Sequence, residues 1–489
     1  MARSLPPPRK QTFGLAQALQ KGITSLQEGK QGEAEQFFKA IIKSVPTHPD
    51  ARHFLGVLRF QQGRSDEALE LMQGVLRHHP KSPYLLSNLG LVLHALGRFE
   101  ESLGCLDRSL ALEASQPEAL YNRGNSLRGL GRFDDALESY AKALVVKPGY
   151  AEALNGRATI FMEQGKWPDA ESGLRQCVEL APGYAEAQVN LGLVLVQVGR
   201  DAQAAAQAEI ARPMQEKKDF PHHSFGLLLA RCGQVDEARE HLRIALARDP
   251  QDAQGARLLL AGIGGQPLPE RVPATFVNRL YAKRALEWDR LMTEGNYRGA
   301  RLVAEALTRL AAQDKQLDIL DAGCGTGLVG ELLRDRAGSL VGVDLSSEML
   351  ARAATKGAYS SLHQGDLIEF LAARPGSCDA VTSAATLIHF GDLHPVFDAA
   401  CSTLRPGGLF VFTLFDSKTD PSGYTAGTLS DGYAQGGCYA HGAGYVDAAA
   451  KSAGFEVLLL RQEIHEHNFG IAKTGLIVAL RKPLVLEAG

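Results

Sequence analysis

Leu317-Asp-Ile-Leu-Asp321-Ala-Gly-Cys-Gly-Thr-Gly327 runs from a short apolar stretch into three alternating glycines, and Leu328 to Arg336 continues in helical periodicity. Ser339-Leu-Val-Gly-Val-Asp344 follows, a second apolar stretch that ends on an acid 17 residues beyond Gly327. Strand, glycine turn, helix, strand and acid make one half of a nucleotide-binding parallel sheet. Glycines let a ligand approach the backbone, and a carboxylate closing the second strand can accept hydrogen bonds from both ribose hydroxyls. The spacing is G-x-G-x-G, with Leu328 where a dinucleotide loop would carry its third glycine. Asp321 at the head of the loop would repel a diphosphate, which argues further against a dinucleotide.

The strand and helix alternation continues through Gln364-Gly-Asp366-Leu367, Cys378-Asp-Ala-Val-Thr-Ser383 and Leu404-Arg-Pro-Gly-Gly-Leu-Phe-Val-Phe412. It closes with Ala453-Gly-Phe455 and Gly475 to Leu480. In this order the segments resemble the motifs of class I S-adenosylmethionine-dependent methyltransferases, with Leu320 to Gly327 as the first motif and Val343-Asp-Leu-Ser346 as the acidic one. The resemblance implies a Rossmann-like seven-stranded domain with an antiparallel seventh strand. It further implies S-adenosylmethionine as methyl donor, S-adenosylhomocysteine as product and no metal. Carried over residue by residue, it puts Asp321, Gly323, Gly325 and Gly327 around the methionine part of the donor. Asp344, followed by Leu345, falls at the ribose, and Asp366 with Leu367 at the adenine. Helices expected over Phe276 to Leu291 and Tyr297 to Ala311 would lie over the donor, with Tyr297 and Tyr281 as contacts.

The acceptor is less legible. After the fourth strand the chain reads Ser383-Ala-Ala-Thr386, not the [DN]-P-P-[YF] of N-methylation, and lacks a Pro-Cys or Thr-Cys pair for attack on a pyrimidine. Methylation of a nucleic-acid base is therefore disfavoured. His389 follows that strand by six residues, and an imidazole of ordinary pKa near 6.5 suits a general base. Ser417 to Tyr445, with Tyr424, Tyr433, Tyr439 and His441, reads as a lid after the fifth strand, and Tyr439 and His441 are the expected acceptor contacts.

Ahead of this domain the chain repeats itself. Gly29, Gly63, Gly97, Gly131, Gly165, Gly199 and Gly233 are spaced by 34, and a second small-residue register runs in phase from Gly22 to Gly226. A third runs from Ala34 to Ala238, and Phe38, Met72, Leu106, Tyr140, Leu174, Ala208 and Leu242 form an apolar register. Prolines such as Pro46, Pro80, Pro148, Pro182 and Pro250 close most units. Close helix packing needs small residues, and glycine at positive φ ends a helix. The pattern resembles the tetratricopeptide repeat, whose stacked hairpins form a superhelix with a concave face for peptides. Repeat six, around Arg212 to Phe220, departs most and should be irregular. The expected organisation is a flexible leader (1–14), seven repeats with a capping helix from Ala253 to Ala261 (15–261), a Gly/Pro linker (262–273) and the methyltransferase-like domain (274–489).

Asn88, Asn122 and Asn190 share one register and resemble the asparagine ladder of the O-GlcNAc transferase repeats, which implies a protein or peptide in the groove; tolerated surface residues are the plainer reading. His78-His79 and His222-His223 lack carboxylate or thiol partners at metal-ligand spacing and read as surface or cap residues. A net charge of −3 offers no broad attraction to nucleic acid. Seven scattered cysteines read as reduced thiols, and without a secretory or membrane-length apolar run the expected location is the cytoplasm. Three functions fit: a methyltransferase whose repeats recruit a protein, a small-molecule methyltransferase whose repeats serve assembly, or a repeat scaffold that only senses the donor.

Overall fold

The structure, a computed structural model, describes residues 10–252, 254–282, 284–286, 288–294, 296–312, 315–426, 437–468 and 471–484. The chain forms two compact units, Met1–Ala187 and Gln188–Gly489. Unit one holds helical hairpins: α1 (Lys10–Gln27) with α2 (Gln31–Ser44), α3 (Pro49–Gln61) with α4 (Ser65–Leu76), α5 (Pro83–Ala95) with α6 (Phe99–Leu112), α7 (Pro117–Gly129) with α8 (Phe133–Val146), and α9 (Ala151–Glu163) with α10 (Trp167–Leu180). Then come α11 (Ala185–Gln197) and α12 (Asp201–Ala211), α13 (His222–Arg231) with α14 (Val235–Arg248), and the short α15 (Ala256–Gly262). Helix α1 already begins at Lys10, inside the expected leader, whose residues 1–9 lie outside those described.

All seven turn glycines have φ between 70° and 80°, the left-handed region that ends one helix and admits the next. The in-phase small residues act between helices. A Cβ on Gly90 would come within 2.6 Å of Leu106, and one on Gly124 within 2.5 Å of the Tyr140 ring. The apolar register therefore fills the space that the glycine register leaves open. Repeat six breaks this rule because its register residue is the small Ala208. There Leu228 from α13 occupies the space beside Gly192, 2.6 Å from where a Cβ would stand. The expected irregularity follows as a 3-10 turn over Arg212–Met214.

His78 and His79 are exposed, as expected. His222 is not a surface residue: it is buried against His241, with their Nδ1 atoms 2.8 Å apart and their rings stacked. Burial pushes His222 down to about 4, so the ring is neutral and one Nδ1 donates to the other.

Helices α16 (Ala274–Ala282), α17 (Trp288–Glu294) and α18 (Gly299–Leu310) precede the sheet. The single helix expected over Phe276 to Leu291 is thus two. Strands β1 (Leu317–Ala322), β2 (Ala337–Asp344), β3 (Ser361–Gln364), β4 (Cys378–Ser383) and β5 (Leu404–Asp416) are parallel in the order β3-β2-β1-β4-β5. β6 (Tyr424–Ala426) and β7 (Tyr439–His441) form a ribbon on the end of β5. β8 (Glu456–Asn468) and β9 (Ile471–Arg481) form the closing hairpin, in which β9 runs antiparallel to β5 and to β8. The seven expected strands are present in a Rossmann-like sheet, and the β6–β7 ribbon is additional.

Helices α19 (Leu328–Leu333), α20 (Ser347–Thr355), α21 (Leu367–Ala372), α22 (His394–Thr403) and α23 (Ala443–Ser452) fill the crossovers. Both faces of the sheet are covered: Leu320, Phe410 and Val478 belong to one core, and Ile319, Val411 and Ile477 to the other. Near-continuous apolar strands follow from that double burial. Among the described residues no helix is long and apolar enough to cross a membrane.

Candidate active site

Ligands of open α/β sheets bind beyond the carboxyl ends of the strands where strand order reverses, here between β1 and β4. At the end of β1 the Gly323 and Cys324 N–H groups donate to Val343 O at 2.8 and 3.0 Å, which stitches the glycine loop to β2. Gly323 has φ +77°, and a Cβ there would stand 2.2 Å from Thr386, whose Oγ1 donates to Gly323 O at 3.0 Å. Gly325 has φ +54° and its N–H donates to Asp344 Oδ2 at 2.9 Å, while a Cβ would meet nothing within 4 Å. That open side is the cradle a ligand backbone or sugar could enter. Asp344 also accepts from Ser346 N–H at 2.9 Å, and burial raises its carboxyl above the usual value.

One cavity, roughly 1010 Å³ with its mouth, collects most of the expected residues: Gly323, Gly325, Asp344, Leu345, Asp366, Leu367, Tyr297 and His389 all border it. Asp321 and Gly327 are not on its surface. Asp321 is fully buried beneath the loop, where Tyr359 Oη donates to Oδ2 at 2.7 Å and Thr382 Oγ1 to Oδ1 at 2.9 Å. Desolvation pushes its carboxyl up to about 6. Gly327, at φ +88°, opens α19. Both shape the loop; neither faces the ligand space, and the expected direct contact is corrected for both.

Asp366 is doubly committed. Its Oδ1 caps α21 by accepting from Ile368 N–H at 2.9 Å, and its Oδ2 receives Arg271 Nη1 at 2.9 Å. Arg271 belongs to the Gly/Pro segment read as a linker, and the segment is a wall of the cavity. Val272 N–H donates to His389 O at 2.9 Å, and Glu270 O accepts from Gly391 and Asp392 N–H at 2.7 and 3.0 Å. Sequence reasoning missed Arg271 and Val272. Their only signal was the density of prolines, which fixes a backbone without saying what it touches.

His389 is buried in the turn after β4. Its Nδ1 lies 2.7 Å from Gly437 O and its Nε2 lies 2.8 Å from Tyr281 Oη. A carbonyl only accepts, so Nδ1 carries the hydrogen and Nε2 accepts the tyrosine's. Desolvation pulls His389 down to about 4, which keeps it neutral at neutral pH. Neither nitrogen is open to the cavity, so the expected direct base is corrected: His389 reaches a ligand only through Tyr281. Tyr281 stands edge-on to Trp288, ring centres 5.2 Å apart. The break between α16 and α17 makes that contact, because seven residues of continuous helix would separate their Cα atoms by about 10 Å. α17 is tied to the glycine loop by Asp289, which accepts from Thr326 Oγ1 and pairs with Lys356 at 2.8 Å.

Tyr439 and His441 do not border the cavity. Tyr439 is fully buried and donates to Pro269 O at 2.7 Å; His441 is fully buried with Nε2 2.8 Å from Phe390 O. They brace the wall, a correction to their expected acceptor role. Tyr433 lies outside the described residues. In the repeats, Asn88 is half-buried and donates to Nε2 of His53 at 2.9 Å, Asn122 is half-buried, and Asn190 is 8% exposed. Asn88 and Asn190 therefore do not offer open amides. Among the described residues no group of three or more His, Cys, Asp or Glu is placed to hold a metal ion.

Known proteins match both parts. A methyltransferase-domain family model matches residues 320–412, and tetratricopeptide-repeat models match 25–87, 82–144, 121–184, 155–217 and 224–243. The chain carries tetratricopeptide repeats and a methyltransferase domain. The methyltransferase domain is similar to the 18S rRNA (guanine-N(7))-methyltransferase of Bos taurus, 28% identical over 153 residues, 27% of this chain and 54% of that protein. It is also similar to the ubiquinone biosynthesis O-methyltransferase of Xanthomonas campestris pv. campestris, 38% identical over 101 residues, 20% of this chain and 42% of that protein. The chain thus spans about half the length of these curated relatives. The repeats are similar to a crystallised tetratricopeptide repeat protein from Parabacteroides merdae, at 21% identity and TM-score 0.40, covering 48% of this chain and 93% of that one.

Proposed function

We propose that the methyltransferase domain transfers a methyl group from S-adenosylmethionine to an acceptor bound beside Tyr281, and that the repeats recruit a protein partner. The reading rests on one observation: the open side of Gly325, the Asp344 carboxylate and Asp366 converge on a single cavity with Tyr281 at its edge. Asp344, held by two backbone N–H groups, suits a pair of ribose hydroxyls. Asp366 suits an adenine amino group, sharing Oδ2 with Arg271. Leu345, Leu367 and Tyr297 supply apolar walls, and Gly323 keeps the loop low. The bound donor supplies a methyl group already activated on a sulfonium. The domain's task is then alignment and, for some acceptors, removal of a proton.

Residues 15–261 are proposed as the repeat array, 262–273 as the segment joining it to the site, and 274–489 as the catalytic domain, working in the cytoplasm with its seven cysteines as thiols. The two relatives are named for methylation of different atoms, so neither supplies the acceptor. Isothermal titration with S-adenosylmethionine tests the donor: we expect binding by the wild type and at least about tenfold weaker binding by Asp344→Ala, which removes a hydrogen-bonded charge. No binding by the wild type would sink the reading. Tritiated donor incubated with cell extract then separates protein from small-molecule acceptors. Label confined to small molecules would leave the repeats a role in assembly, and a bound donor with no label anywhere would leave a sensing scaffold.

A further inference from the structure

We propose that Tyr281 is the catalytic residue that takes the acceptor's proton, with His389 positioned behind it, and that the acceptor is a neutral, largely apolar molecule presenting a hydroxyl. This rests on the methyl-transfer reading above.

The direction of each hydrogen bond decides what Tyr281 can accept. Gly437 O can only accept, so His389 Nδ1 donates to it at 2.7 Å and Nε2 is a bare acceptor. Tyr281 Oη, 2.8 Å away, spends its hydrogen on Nε2. Tyr281 borders the cavity, and its phenolic oxygen has lone pairs left and no hydrogen to give. Whatever binds against it must bring a hydrogen. A carboxylate brings none. An ammonium would need a counter-charge, and the two carboxylates of the cavity are the ones that the reading above gives to the donor, Asp344 at its ribose and Asp366, already paired with Arg271, at its adenine. Val272, Val277, Trp288 and Phe390 line the same cavity, which favours an apolar body on the molecule that carries the hydroxyl.

In the transfer the acceptor oxygen forms the new O–C bond. The C–S bond of the sulfonium breaks with its electron pair left on sulfur as a neutral thioether. The acceptor's proton passes to Tyr281 Oη as Tyr281's own hydrogen passes to His389 Nε2, and once the product has left, the imidazolium gives the proton back through Tyr281 to water entering the cavity. The hydrogen moves along a bond that Nε2 already accepts at 2.8 Å, and burial, which keeps His389 neutral beforehand, makes the imidazolium short-lived. The positive charge of the sulfonium is thereby replaced by one proton, and the exchange balances.

Two measurements on the full chain test this. In the first, protein loaded with S-adenosylhomocysteine is titrated calorimetrically with p-cresol and catechol. We expect Tyr281→Phe, which keeps the ring and its packing on Trp288, to bind them about tenfold more weakly, as loss of one hydrogen-bond partner predicts. In the second, tritiated S-adenosylmethionine is offered with p-cresol and catechol against benzylamine and benzoate. Label should enter the hydroxyl probes, and kcat should fall by about 100-fold or more in Tyr281→Phe with donor affinity unchanged.

His389→Gln separates relay from support. Its amide can still accept from Tyr281 and donate toward Gly437 but cannot take a proton, so it should lose kcat as Tyr281→Phe does while KM holds. Full rescue by glutamine would overturn the relay. Label on the amine or carboxylate alone, no label on any hydroxyl probe, or unchanged probe affinity in Tyr281→Phe would overturn the acceptor class. Failure of the wild type to bind S-adenosylmethionine is a different result, and it would sink the donor reading instead.

Discussion

Gly323 and Gly325 stand two residues apart in one loop and should respond differently to alanine. Gly323→Ala puts a methyl group 2.2 Å from Thr386 at φ +77°, so both strain and collision act. It should lower stability by more than about 2 kcal/mol and abolish donor binding, as seen by thermal unfolding and calorimetry. Gly325→Ala meets open space and should cost only the left-handed conformation, about 1–2 kcal/mol, while still blocking the donor by filling its cradle. Equal loss of stability in the two variants would contradict this division. Asp321 gives a pH signature. Its folded carboxyl, pushed up to about 6, lies above an unfolded value of about 3.9, so the stability it favours is fully present below the lower value and lost as pH rises through the higher. The loss is on the order of 2–3 kcal/mol. Asp321→Asn should be flat over that window, and denaturant midpoints at about pH 4 and pH 7 would show the difference. Gly325 and Asp344 were legible because their bond spans only 19 residues, inside one strand, turn, helix and strand unit whose order the sequence displays. Tyr281 with His389 and Arg271 with Asp366 were not, because those partners lie 108 and 95 residues apart.

The repeat helices were legible for a different reason: each hairpin restates the same packing problem, so the period exposes the solution. Small residue on the first helix and apolar residue 16 positions later recur from Gly22 with Phe38 to Gly226 with Leu242, and the structure brings these pairs into contact. The exception is where reading by register fails. Ala208 is too small to fill the space beside Gly192, and Leu228, fully buried, does so from the next hairpin. Leu228→Ala should therefore behave as a core cavity, costing about 2–5 kcal/mol by chemical denaturation, although Leu228 stands outside the apolar register. A cost below about 1 kcal/mol would mean that the space is filled otherwise. In the second unit the crossover strands were legible from their apolar runs. The break between α16 and α17 was not, since periodicity alone continues from Phe276 to Leu291. The β6–β7 ribbon escaped notice because a three-residue strand is shorter than any alternating pattern can signal.

At the scale of the molecule, the Gly/Pro stretch from Gly262 to Pro273 does more than join two parts. Glu270 O, the Val272 N–H and Pro269 O make four hydrogen bonds to Gly391, Asp392, His389 and Tyr439, and Arg271 closes on Asp366. Proline fixes the backbone in an extended form, and an extended backbone can pair with the turn that carries His389. The segment that enters from the repeats is therefore part of the cavity wall, and a cut made at the sequence boundary would remove it. Fragment 274–489 should melt at a lower temperature than fragment 262–489 and bind S-adenosylmethionine at least about fivefold more weakly, since each lost hydrogen bond is worth about 0.5–1.5 kcal/mol. Within the full chain, Arg271→Ala separates wall from ion pair. An exposed pair contributes under about 1 kcal/mol, so the variant should stay folded and change donor affinity only slightly, leaving the truncation effect to the backbone bonds. If both fragments melt and bind alike, the segment is only a spacer. If Arg271→Ala alone reproduces the loss, the wall is held by its charge and not by its backbone.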